Sequence, residues 1–183
     1  LFRIPPGEPH PHIPSSAEYL AAFGHRFAML ATPPAHWHTS GGATSTNGIA
    51  NRFDVSYTAH WVPCLHVTTV RPHPADPVGL ATVTLTNELV NLAMNSQEQP
   101  DGEAFFAWLD SWGFVDELTP EPTSLLLDGQ EVAGRRLAFD GVFGIELALE
   151  EEQVFVYGQA AAEESVRELV LVTEPLGGWT ARR

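Results

Sequence analysis

Lysine is absent from this chain of 183 residues, and cysteine occurs once, at Cys64. A single thiol excludes an internal disulfide framework and any cysteine-rich zinc module. All nine basic residues are arginine, set against 23 carboxylates, for a formal net charge of −14. That excess of negative charge argues against a surface for nucleic-acid phosphates. No apolar run approaches the ~18 residues a membrane-spanning helix needs, so no membrane partner is expected. Portable signatures are also missing: no Gly-x-Gly-x-x-Gly, no Walker loop, no Gly-x-Ser-x-Gly elbow and no His-Glu-x-x-His. These absences remove the commonest nucleotide, zinc-protease and hydrolase readings, and no cofactor is expected. The first 14 residues carry prolines and histidines rather than the apolar core of a signal peptide, and the lone thiol fits a reducing compartment. The expected location is the cytoplasm.

What is present suffices for one core. Hydrophobic residues make up 44 %, with 10 Phe, 5 Trp and 3 Tyr, and the length suits about one domain. Charge is unevenly spread. Residues 101–174 carry 17 of the carboxylates and three arginines, which is the whole of the net charge. All eight histidines lie between His10 and His73. The organisation expected is a flexible Pro/His-rich arm over 1–14, a single α+β domain over 15–175 with a subdivision point near 116–123, and a tail over 176–183.

Local patterns predict mixed structure. Ser15-x-x-Glu18 is a capping box, and Leu20, Phe23, Phe27 and Leu30 follow at helical spacing until Pro33-Pro34. Residues 39–51, rich in Gly, Ser, Thr and Asn, lack periodicity and read as a long loop. Phe53, Val55, Tyr57, Ala59 and Trp61 alternate with polar residues as a half-buried strand does; Pro63 interrupts, and residues 65–70 resume. Residues 80–86 alternate again, while 87–95 fit a strand end or a helix equally. A second helix is predicted after Asp101, with Phe105, Trp108, Leu109 and Trp112 on one face and Gly113 as its stop. From Ser124 onward the pattern is a β-meander. Asp128-Gly129 and Asp140-Gly141 are two-residue hairpin signals, because both turn positions need positive φ. The fold class expected is α+β: a mostly antiparallel sheet, its C-terminal part a β-meander, with two main amphipathic helices packed on it.

Histidine supplies the chemistry most open to interpretation. His36 and His38 share a side if their segment is extended, and His60 and His66 lie on or beside neighbouring strands. These are metal-ligand residue types, yet their spacing meets no known pattern, so no metal is expected. Trp37, between two histidines, reads as a ligand or partner contact. Glu150, Glu151, Glu152, Glu163 and Glu164 read as exposed loop carboxylates extending an acidic face. The function expected is therefore a non-catalytic binding protein of bacterial type: an adaptor, an inhibitor or a toxin-neutralising partner. Its acidic face would dock a basic protein and repel nucleic acid. Two alternatives use other features: a small His-dependent enzyme, with or without a metal, and a small-molecule carrier with an aromatic pocket.

Overall fold

Nine strands dominate the fold, which a computed structural model describes over residues 26–46, 49–59, 62–71, 84–96, 103–111, 113 and 118–174. The strands are β1 (Phe27–Leu30), β2 (His38–Thr46), β3 (Ile49–Ala59), β4 (Val62–Val70), β5 (Glu121–Leu127), β6 (Gln130–Phe139), β7 (Val142–Ala148), β8 (Gln153–Gln159) and β9 (Glu168–Val172). They form one sheet in the order β1-β9-β5-β6-β7-β8-β4-β3-β2. The sheet is mixed, because β5 and β9 run parallel while the other neighbours run antiparallel. It curls into a half-barrel.

This corrects the expected α+β class. The fold is mostly β and does not carry two main helices packed on the sheet. Helix α1 (Leu85–Ser96) lies on β7 and β8, and α2 (Glu103–Asp110) is short and forms no second layer. The predicted first helix fails where it can be seen: Phe27 and Leu30 belong to β1. Phe27, Ala28 and Leu30 are all essentially unexposed. A strand buried on both faces shows no alternation, so its apolar run cannot be told from a helix face by period alone. Ser15, Glu18, Leu20 and Phe23 lie outside the described residues, as do the arm and the tail beyond residue 174. On α2, Trp108 is half-buried; the Phe105 and Leu109 side chains and Trp112 lie outside the described residues.

Three further readings change. The segment expected to be a loop is β2 and the start of β3. Residues 85–96, read partly as strand, form α1. Thr84 caps that helix, its Oγ1 accepting the Asn87 N–H at 3.1 Å. Leu85, Leu89 and Ala93 then make one buried stripe against the sheet. Pro63 does not end a strand; it sits inside β4 opposite Thr58, where the register with β3 shifts.

Strands β5 to β8 follow one another as a meander, whereas β9, expected to continue it, lies between β1 and β5 and runs parallel to β5. Asp128 and Gly129 have φ of 49° and 74°, and Asp140 and Gly141 have 48° and 77°. A short 3-10 helix, η1 (Ala160–Ser165), then leads to β9. The concave side of the half-barrel holds Phe53, Val55, Tyr57, Leu65, Val67, Phe143, Ile145, Leu147 and Leu169, with β1 laid among them. Phe27 stacks on Phe53 with ring centres 4.0 Å apart. Among the described residues the open edge of β1 meets no further strand. Instead its Ala28 N–H donates to Thr69 Oγ1 at 2.8 Å and its Leu30 N–H to Tyr57 Oη at 2.7 Å, both buried. Two side-chain hydroxyls thus satisfy backbone donors that a neighbouring strand would otherwise take.

Candidate functional site

The convex side of β3, β4 and β8 gathers the polar side chains. Alternation on β3 turns Arg52, Asp54 and Ser56 outward while Phe53, Val55 and Tyr57 enter the core. Strand register then fixes rows across the sheet: Ser56 faces His66 and His66 faces Tyr157, while Asp54 faces Thr68. Helix α1 adds Glu88 from above.

These groups bond to one another. Arg52 Nε donates to Asp54 Oδ1 and Oδ2 at 2.8 and 2.9 Å, and its Nη1 reaches Glu88 Oε1 at 2.8 Å. Thr68 Oγ1 donates to Asp54 Oδ1 at 2.6 Å. The Tyr157 hydroxyl lies 3.3 Å from Thr68 Oγ1 and 3.4 Å from Arg52 Nη2. Ser56 Oγ lies 3.0 Å from His66 Nδ1, and the imidazole lies flat on Tyr157 at 5.1 Å. One guanidinium therefore bridges a strand carboxylate and a helix carboxylate, which latches α1 to the sheet.

Protonation follows from burial. Burial pulls the His66 pKa down, against the opposing pull of Asp54 and Glu88, and Arg52 lowers it further. The imidazole is held toward its neutral form. Burial pushes Tyr157 up, so its phenol stays protonated. Burial also opposes the charge on Arg52, but its bonds to Asp54 and Glu88 outweigh it and keep the guanidinium charged. A Ser–His contact of this length is one that nucleophilic catalysis uses. Here the serine lies mid-strand and the Asp54 carboxylate is engaged by Arg52 and Thr68.

The residues singled out in the sequence do not converge on this network, apart from His66. Trp37 is half-buried at the margin of the inner core, 6.4 Å from the Tyr57 ring. His36 is exposed and edge-on to Trp37, and His38 is exposed on β2. His60 lies outside the described residues. Among the described residues no group of three His, Cys, Asp or Glu is placed to hold a metal ion.

The five glutamates need a sharper correction. Glu152 is 2 % exposed and belongs to no surface. Its carboxylate accepts from Arg26 Nε and Nη2 at 3.1–3.2 Å. Glu151 pairs with Arg71 at 2.9 Å, and Glu163 pairs with Arg136. Glu150 and Glu164 are exposed. Nor do the two groups adjoin. Glu150–Glu152 form the turn before β8, whereas Glu163 and Glu164 lie in η1, after its far end, where Ala160 N–H bonds Gly141 O. A seven-residue strand, roughly 20 Å long, runs between them.

Sequence reasoning missed the Arg52–Asp54–Glu88–Tyr157 set. The signal available was the polar alternation of β3 beside His66 and Thr68; the contribution of α1 was not readable, because Glu88 lies 36 residues from Arg52. No helix among the described residues is long and apolar enough to cross a membrane. Comparison with protein-family models, with curated proteins and with solved structures finds no match for this chain.

Proposed function

We propose that the chain is a non-catalytic binding protein whose partner presents a basic surface. One observation carries this reading. Over residues 118–174 eight carboxylates are exposed (Glu121, Asp128, Glu131, Asp140, Glu150, Glu151, Glu164 and Glu174) against two exposed arginines, Arg135 and Arg167. Such an imbalance attracts cations over a Debye length and speeds their capture. Glu152 and Glu163 pair with Arg26 and Arg136 and leave docking to the exposed carboxylates, among which Glu150 and Glu151, the latter also bonded to Arg71, stand together in the turn before β8. There Arg26 feels the charges of Glu152, Glu151 and Asp128 together, and Glu150 adjoins them.

The enzyme and carrier alternatives have less support. In the polar cluster Arg52, Asp54, Thr68 and Glu88 bond to one another. The concave side is occupied by β1 and its stacked Phe27–Phe53 pair.

Titration of the full chain with a fluorescent polyarginine peptide tests the reading. Glu150→Gln with Glu151→Gln is compared with Glu121→Gln with Glu164→Gln. Several-fold weaker binding in the first pair alone is expected, because rim charges act locally. Equal loss in both pairs, or no binding by the unaltered protein, contradicts it.

A further inference from the structure

Strand β1 is held as a separate peptide would be. It pairs with β9 along one edge, from Phe27 opposite Val172 to Leu30 opposite Leu169. Along the other edge the hydroxyls of Tyr57 and Thr69 accept its N–H groups at 2.7 and 2.8 Å. Phe27 stacks on Phe53, and Arg26, just before the strand, binds Glu152. Phe27, Ala28, Leu30, Tyr57 and Thr69 are each at most 1 % exposed. The rest of the chain thus forms a finished slot, with buried polar groups aimed at one extended segment.

Residues 31–37 tie β1 to its own slot. They join the two end strands of the sheet, β1 and β2, and contain Pro33-Pro34. A residue before proline is held extended, so Thr32 and Pro33 resist folding back. The reversal comes after them, where Trp37 N–H donates to Pro34 O at 2.9 Å.

We infer that β1 exchanges between two copies of this chain, each placing its β1 in the other's slot, with Pro33-Pro34 as the pivot. The occupant follows from identity: a second copy supplies the same Arg26–Leu30 segment and reproduces each bond and stack of the slot. Straightening the connection gives up the Pro34–Trp37 bond, and bringing two chains together carries its own cost. Exchange of an identical element is a low-cost route to a dimer, because the buried contacts are the same in both forms. Each copy carries −14, so salt as well as protein concentration favours the exchanged pair. The inference does not depend on the basic-partner reading above.

The test refolds the full chain from denaturant, at high concentration and high salt, as a mixture of isotope-labelled and unlabelled molecules. Light scattering after size separation should find a dimer. Isotope-filtered NMR should find Phe27 of one copy against the Phe53 ring of the other. Refolded dilute in low salt, the chain should be a monomer with that contact inside one molecule. Pro33→Ala combined with Pro34→Ala frees the connection and should lower the dimer fraction about fivefold at equal concentration. A monomer under every condition overturns the inference. A dimer whose Phe27–Phe53 contact stays within each chain also overturns it and assigns the dimer to an outer surface. An unchanged dimer fraction in the alanine variant overturns the pivot.

Discussion

The backbone N–H of Leu30 donates to the phenol oxygen of Tyr57 at 2.7 Å, both residues being at most 1 % exposed. Burial raises the Tyr57 pKa, against the Leu30 N–H bond, so the phenol stays protonated while its oxygen accepts from Leu30. Tyr57→Phe keeps the ring and strips the acceptor, leaving a buried donor unmet. The expected loss is about 1–3 kcal/mol in denaturant unfolding. Thr69→Val removes the acceptor of Ala28 N–H and should cost a similar amount. Unchanged midpoints in both would show that β1 is not held by these hydroxyls.

Arg26 tethers the start of β1 to Glu152, a carboxylate with a 1 % exposed side chain. Arg26→Ala strands that carboxylate. Breaking a fully buried pair costs ~3–5 kcal/mol. Arg26 is 40 % exposed, so solvent screening lowers the expectation to about 2–3 kcal/mol. Glu152→Gln, which leaves a neutral amide, should cost less than Arg26→Ala. The reverse order would contradict the tether.

His66 gives the fold a pH dependence of definite sign. Its folded pKa lies below the ordinary 6.5, through burial first, with Asp54 and Glu88 opposing and Arg52 assisting. Between the folded and unfolded values the unfolded chain holds more protons, so stability rises with pH in that window. The penalty is absent above about 6.5, grows as pH falls, and is complete below the folded value. Thermal midpoints measured from pH 7 down to 5 should therefore fall less steeply in His66→Phe, which keeps the stack on Tyr157. Parallel slopes would remove His66 from the account.

Legibility in the sequence tracked how each element is buried. Strand β3 was readable because Phe53, Val55 and Tyr57 enter the core while Asp54 and Ser56 do not. The turns at Asp128 and Asp140 were readable because Asp-Gly has a specific backbone preference. Strand β1 was misread because both of its faces are buried, and β2 because an edge strand of small polar residues has no apolar face to alternate. The acidic residues were legible as charge but not as geometry. Nothing local distinguishes Glu152, sealed under Arg26, from Glu150 two residues earlier and exposed. The network at Arg52 depends on α1 folding back over the sheet, a long-range event with no local mark.

Glycine at two sheet positions has different causes, which substitution separates. A Cβ at Gly158 would strike the carbonyl oxygen of Cys64 and come 3.0 Å from Leu65 Cα, both backbone. A Cβ at Gly144 would come 2.5 Å from Leu85 Cδ1, the end of a side chain that can turn. Gly158→Ala should cost about 3 kcal/mol, at the upper end for overpacking, and Gly144→Ala about 1 kcal/mol. Equal costs would mean that β4 and β8 part as easily as α1 shifts.

The most direct test of the binding account is the association rate of the polyarginine peptide, followed by stopped flow as salt rises from low to physiological strength. Steering by the exposed carboxylates acts on the on-rate and is screened by ions. The account predicts a rate that falls steeply with salt in the unaltered chain, and a slower, flatter dependence in the Glu150→Gln, Glu151→Gln variant. A rate indifferent to salt, or equal in the two proteins, would contradict it.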